Sequence, residues 1–161
     1  MFVHLAPADK AAHIRRVGLT AVRRSWGRGV FTVPMLPNFD VTHQWVRELK
    51  RWKQTRTMVA VDVRIPDDEP VLVGHYARPV LEVPAAKAVK IVMDADDPRG
   101  YEVIVPRAIR PNEIHRIREV PQKVGWRYFP DAHGRKPCGC PVCLQRGQRG
   151  AKKIREAYER E

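Results

Sequence analysis

Cys138, Cys140 and Cys143 stand one and two residues apart near the end of the chain, and His133 lies five residues before the first of them. Thiolate sulfur and imidazole nitrogen are the usual ligands of zinc, and a compact cluster of four can close a tetrahedral site. Pro137, Gly139 and Pro141 punctuate the segment as a metal knuckle requires. Four protein ligands leave no open position, so the ion would be structural, holding a tail too polar to fold on its own. The other reading of these residues is three reduced thiols without metal, and His115 is a substitute fourth ligand. Three cysteines cannot complete a disulfide framework, and their clustering suits a reducing compartment.

Two further residues interrupt the pattern around them. His4 is a polar ring inside the apolar opening Met1 to Leu5, and Glu102 is a carboxylate inside Tyr101-Glu-Val-Ile-Val105. Such a residue is commonly the solvent-facing member of a strand, and Glu102 also has Arg99 and Arg107 within reach as ion-pair partners. His43, Trp45, His75 and Tyr76 are additional candidates for lining a cleft. The sequence holds no HExxH, GxSxG, P-loop or GxGxxG, which removes the usual warrants for zinc proteases, common serine hydrolases, P-loop NTPases and Rossmann dehydrogenases.

The charge is uneven. Thirty Lys and Arg against 18 acids give a net +12. Residues 1–56 carry +8, residues 57–105 carry −4 and residues 106–161 carry +8. Two basic thirds flanking an acidic middle point to an anionic partner, with solvated faces of an Arg-rich protein as the plainer reading. Arg23, Arg24 and Arg28 around Trp26, and Trp126, Arg127, Tyr128 and Phe129, interleave cations with aromatics, a pattern that suits stacking on unpaired bases of DNA or RNA.

These residues need a scaffold. Strands are predicted for Met1–Leu5, Gly29–Val33, Thr57–Ile65, Val71–His75, Tyr101–Val105 and Glu113–Val120. Helices are predicted for Ala11–Val17, stopped by Gly18, for Val41–Lys53 behind Asp40, and for Ala85–Met93 entered at Pro84. Arg23 to Arg28 reads as an exposed loop. The strands Thr57–Ile65 and Val71–His75 are expected to pair as a hairpin or as neighbours across the Pro66–Pro70 turn. The implied class is α+β, a mixed and mostly antiparallel sheet with flanking helices. Residues 1–121 would form this domain, and residues 122–161 a zinc-knuckle and C-terminal helix appendage. A 43% hydrophobic content is enough for a real core and excludes a disordered polyampholyte. With no apolar run of membrane length and no leader, the expectation is a cytoplasmic protein without a membrane partner.

Val3-His-Leu-Ala-Pro, followed by a short helix ending Ile14-Arg-Arg-Val-Gly-Leu19, resembles the opening of the ADP-ribosyltransferase fold, whose first strand carries a histidine and whose first helix ends in Gly-Leu. Tyr101-Glu-Val-Ile-Val-Pro106, with Ile109, Pro111 and Ile114 after it, is similar to the glutamate strand of DarT-type DNA ADP-ribosyltransferase toxins and to the closing strands of tRNA 2′-phosphotransferases. The resemblance spans residues 2–120. It implies NAD as substrate, His4 on the NAD ribose hydroxyls, and Glu102 orienting the nicotinamide ribose and activating the acceptor. It also implies Phe31 or Thr32 at the second-strand position that varies between branches, with Arg15, Arg16, Arg28 and Arg47 as candidates for the pyrophosphate, since Arg grips phosphate oxygens bidentately. The implied function is ADP-ribosyl transfer to nucleic acid by a toxin, defence or RNA-processing factor, with any antitoxin partner left open. The alternatives are a non-catalytic zinc-containing nucleic-acid-binding protein and an RNA 2′-phosphotransferase.

Overall fold

The chain divides into two units, Met1–Trp126 and Arg127–Glu161. The computed structural model describes residues 1–24, 27–76 and 80–125, together with Glu156. The first unit is an α+β structure around one antiparallel sheet. Its strands are β1 (Phe2–Pro7), β2 (Val22–Arg24), β3 (Gly27–Pro34), β4 (Met58–Val63), β5 (Pro70–His75), β6 (Leu81–Pro84), β7 (Tyr101–Val105) and β8 (Ile114–Glu119). Its α-helices are α1 (Ala11–Val17), α2 (Phe39–Thr42), α3 (Val46–Lys53) and α4 (Ala85–Met93). The strand order is β6-β5-β7-β3-β1-β4-β8, and β2 pairs with β3 off that path.

Both faces of the sheet are covered, which explains the nearly unbroken apolar run of β4. One face gathers Phe2, Val61, Val63, Val73, Val103 and Val105 under Ile14 of α1 and Ala88 and Val92 of α4. The other gathers Val3, Leu5, Val33, Met58 and Ala60 under Trp45 and Val46. Alternate β4 residues therefore feed opposite cores, as strand geometry requires. Helix α1 stops where the sequence predicts: Gly18 takes φ +84°, and a Cβ there would stand 2.1 Å from the Ile109 carbonyl oxygen. Leu19 and Ile109 exchange backbone hydrogen bonds at 2.8 and 2.9 Å directly beside it.

Three expectations are corrected. The predicted helix Val41–Lys53 is two helices, α2 and α3. Asn38, not Asp40, caps the first by accepting from the Val41 amide at 3.2 Å. The Thr42 hydroxyl donates to the Asn38 carbonyl at 3.0 Å and His43 Nδ1 reaches the Phe39 carbonyl at 2.9 Å, side-chain bonds to preceding-turn carbonyls that compete with helix propagation. The strands β4 and β5 do not pair, because β1 and β8 occupy both edges of β4, and β5 lies between β6 and β7. The segment read as a loop around Arg23 to Arg28 is a two-stranded ribbon, with Val22, Arg23 and Arg24 opposite Gly29, Arg28 and Gly27.

Candidate functional site

The point of interest is where β3 changes partner. Val33 and Pro34 pair with Val3 and Phe2 of β1, whereas Val30, Phe31 and Thr32 pair with Val105, Ile104 and Val103 of β7. The sheet is thus split between β1 and β3 from His4 onward. His4 is the first β1 residue beyond the last β1–β3 rung, and Glu102 is the first β7 residue beyond the last β3–β7 rung. The two residues that break the local sequence pattern fall on either side of the same point.

The His4 ring fills the split. Its Nδ1 lies 2.7 Å from the Phe31 carbonyl oxygen, taking the role of a backbone N–H in an unbroken ladder. A carbonyl only accepts, so Nδ1 carries the proton and Nε2 is left as an acceptor. Burial holds the imidazole below its ordinary range and outweighs the Phe31 hydrogen bond, while the charge of Lys53 also lowers it. The result at neutral pH is an uncharged ring of fixed tautomer, able to accept a hydrogen bond from a hydroxyl. Counted by alternation on a flat sheet, His4 belongs to the row of Phe2 and Ala6 and Glu102 to the row of Ile104, on opposite faces. The parting of the strands matters for this reason: a ring bonded to the neighbouring strand's carbonyl lies in the gap between strands.

Glu102 is half-buried and stands opposite Gly74 of β5. The strand it occupies is pinned at its start. Gln44 Oε1 accepts from the Gly100 amide at 2.6 Å, the Trp45 indole donates to the Tyr101 carbonyl at 3.3 Å, and the Tyr76 amide donates to Gly100 at 2.9 Å. Around this anchor the aromatic rings form a continuous run. Trp45 meets Tyr76 edge-on at 5.5 Å, Tyr76 stacks on His75 at 4.4 Å, and His75 meets Tyr101 edge-on at 5.9 Å. Trp45, His75 and Tyr76, singled out from sequence, are therefore brought together by these ring contacts. His43 is instead buried, with Nε2 accepting from Arg118 at 2.9 Å.

Two arginines near Glu102 in sequence make carboxylate contacts of their own. Arg99 grips Asp97 at 2.6 Å, and Arg107 bridges Glu69 and Glu113, both at 2.6 Å. Of the second-strand candidates, Phe31 is partly exposed. Thr32 is 3% exposed and its hydroxyl donates to the Val103 carbonyl at 2.8 Å, so it ties β3 to β7. Arg15 and Arg16 are exposed in the last turn of α1, which packs against β8. Arg23 and Arg28 face each other on the exposed ribbon, with Arg24 beside them in the chain. The zinc set His133, Cys138, Cys140 and Cys143, and the stacking set Trp126, Arg127, Tyr128 and Phe129, lie outside the described residues, as does Trp26. His115 is on β8, bonded through Nδ1 to Arg64 at 2.9 Å. Among the described residues no group of three or more His, Cys, Asp or Glu could hold a metal ion.

Two supporting residues stand outside the sequence expectations. Gln44, fully buried, reads as an ordinary polar position of an amphipathic helix. Asp62, also fully buried, is the lone acid in the β4 run and receives Arg116 at 2.6 Å and Arg118 at 2.9 Å. Arg118 in turn holds His43, so this cluster fixes β8 and the α2–α3 connection against β4. Among the described residues no helix is long and apolar enough to cross a membrane. Compared with known proteins, the chain matches no family model, no curated protein and no solved structure.

Proposed function

We propose that this protein is an NAD-dependent ADP-ribosyltransferase acting on nucleic acid. The observation that carries the reading is the arrangement of His4 and Glu102 on the two strands flanking β3, each at the point where its strand leaves β3. A neutral His4 with Nε2 free to accept suits a ribose hydroxyl donor. A carboxylate at Glu102, with a glycine as its cross-strand neighbour and aromatic rings along its strand, suits stabilisation of positive charge on a sugar carbon.

The reaction is a displacement at C1′ of the nicotinamide ribose. The glycosidic bond from C1′ to the pyridinium nitrogen breaks, and its electron pair leaves with nicotinamide, which becomes neutral. An oxygen or nitrogen of the acceptor forms the new bond to C1′, and its proton passes to the Glu102 carboxylate. Positive charge grows on the ribose as the bond breaks, so a fixed carboxylate lowers the barrier more than it binds the ground state. The net positive charge of the chain favours a polyanionic acceptor over an average protein surface.

Incubating the full chain with NAD labelled in its adenylate phosphate, and with separate pools of DNA, RNA and protein, tests the reading. Label retained on nucleic acid with release of free nicotinamide supports it. Release of neither product, with nucleic acid still bound, leaves the non-catalytic binding protein as the function. Removal of a 2′-phosphate from RNA in place of label transfer identifies the phosphotransferase chemistry.

A further inference from the structure

The ribbon formed by β2 and the first residues of β3 is unlike the rest of the sheet. It pairs only with itself, lies off the main strand path and is exposed on both strands at Arg23 and Arg28. Those two arginines are directly opposite one another, a cross-strand like-charge pair that works against the ribbon's own stability. Among the described residues neither is paired with a carboxylate; Arg28 has only a long 3.4 Å bond from Nε to the Ala21 carbonyl. A folded ribbon that maintains an uncompensated pair of guanidinium groups is arranged for an anion from outside. Gly29 keeps the ribbon close to its support: a Cβ there would stand 2.4 Å from the Ile104 side chain and 2.6 Å from the Val105 carbonyl oxygen of β7.

The same strand then runs straight into the split. From Arg28 to Thr32 is four residues of β3, about 13 Å at ~3.3 Å per residue. We infer that the β2–β3 ribbon is the acceptor-strand clamp: Arg23 and Arg28 hold adjacent phosphodiesters of a nucleic acid and place a nucleotide a short distance further along β3, at the split beside His4. Paired guanidinium forks recognise phosphate oxygens bidentately without reading sequence, so the clamp fixes position and leaves base choice to the gap. Binding by the ribbon stands apart from the transferase reading; only the identity of what is done at the gap rests on it.

The test uses the full chain, a fluorescein-labelled 20-nucleotide single-stranded DNA and its duplex, with anisotropy read across a salt series. Arg28→Glu turns the repulsive cross-strand pair into an attractive one, so the variant melts no lower than the parent, while its affinity for the oligonucleotide falls at least tenfold at low salt. Arg23→Gln/Arg28→Gln removes two phosphate contacts, and the slope of log K against log salt becomes shallower by roughly 1.4 for the single strand. Lys87→Glu/Lys90→Glu on exposed α4 changes more charge and leaves that slope as it was. In the labelled-NAD assay the ribbon variants lose transfer to the oligonucleotide. Folded ribbon variants that bind with parental affinity and slope overturn the clamp, and so does a parent protein that binds phosphatidylserine vesicles but not the oligonucleotide. A parent that binds through the ribbon yet never consumes NAD overturns the transferase reading and leaves the clamp standing.

Discussion

His4 and Glu102 flank β3 symmetrically, each one residue beyond the last rung its own strand makes with β3. One β3 strand thus gives its Val33–Pro34 end to the histidine strand and its Val30–Thr32 segment to the glutamate strand. An antiparallel sheet needs such a change of partner to open a gap without a loop, and the carbonyl left without a backbone donor at the gap, that of Phe31, is satisfied by the His4 ring. Predictions about stability and activity follow from how this junction and its supports are held.

Thr32 anchors the glutamate strand to β3 with a buried hydroxyl, donating to Val103 at 2.8 Å. Thr32→Val keeps the shape and leaves the Val103 carbonyl with one partner fewer. We expect a loss of ~1–2 kcal/mol in urea unfolding with an unchanged m-value. A loss below the error of the fit would mean that water takes the hydroxyl's place.

Asp62 receives two guanidinium groups while fully buried. Asp62→Ala leaves Arg118 beside His43 with no carboxylate; the arginines left behind reach solvent, so the loss is that of hydrogen bonds to a charged group, ~1.5–3 kcal/mol. Urea unfolding should show a loss of that order, and Asp62→Ala/Arg118→Met should recover part of it.

His4 and His43 are both held below their ordinary range, chiefly by burial. A base with a depressed folded-state pKa binds fewer protons folded than unfolded, so stability rises with pH across that window. The protein should therefore be most stable above pH ~6.5, the unfolded histidine value, and lose melting temperature as the pH falls below it. His43→Gln should flatten the slope between roughly pH 6.5 and 5, and a slope identical to the parent would show that this ring does not carry it.

The fold was legible where a local rule decided it. Gly18 stops α1, Pro84 opens α4, and the apolar runs Met58–Val63 and Tyr101–Val105 are strands, because each is set by its own residues. The failures were tertiary. Nothing within Val41–Lys53 says that Thr42 and His43 will bond to their preceding turn while Gln44 is drawn to Gly100. Pairing of β5 with β6 and β7 instead of β4 is fixed by which edges β1 and β8 have already taken. His4 and Glu102 were visible as polar breaks in apolar strands, but their placement on the two strands that flank β3 depends on register. Gln44 gave no signal, and Asp62, a polar break in apolar β4 of the same kind as Glu102, is identified as a buried anchor only through Arg116 and Arg118, distant in sequence.

The most direct measurement is the rate of nicotinamide release and label transfer by Glu102→Gln beside the parent, with NAD and the preferred nucleic acid. The substitution keeps size and hydrogen-bonding capacity and removes the charge. Loss of a preorganised charge at the reacting centre typically costs ~10²–10³ in rate. A fall of that size, in a protein that still unfolds cooperatively and binds the oligonucleotide, is the predicted result. A Glu102→Gln protein that turns over NAD as fast as the parent would contradict the proposed chemistry.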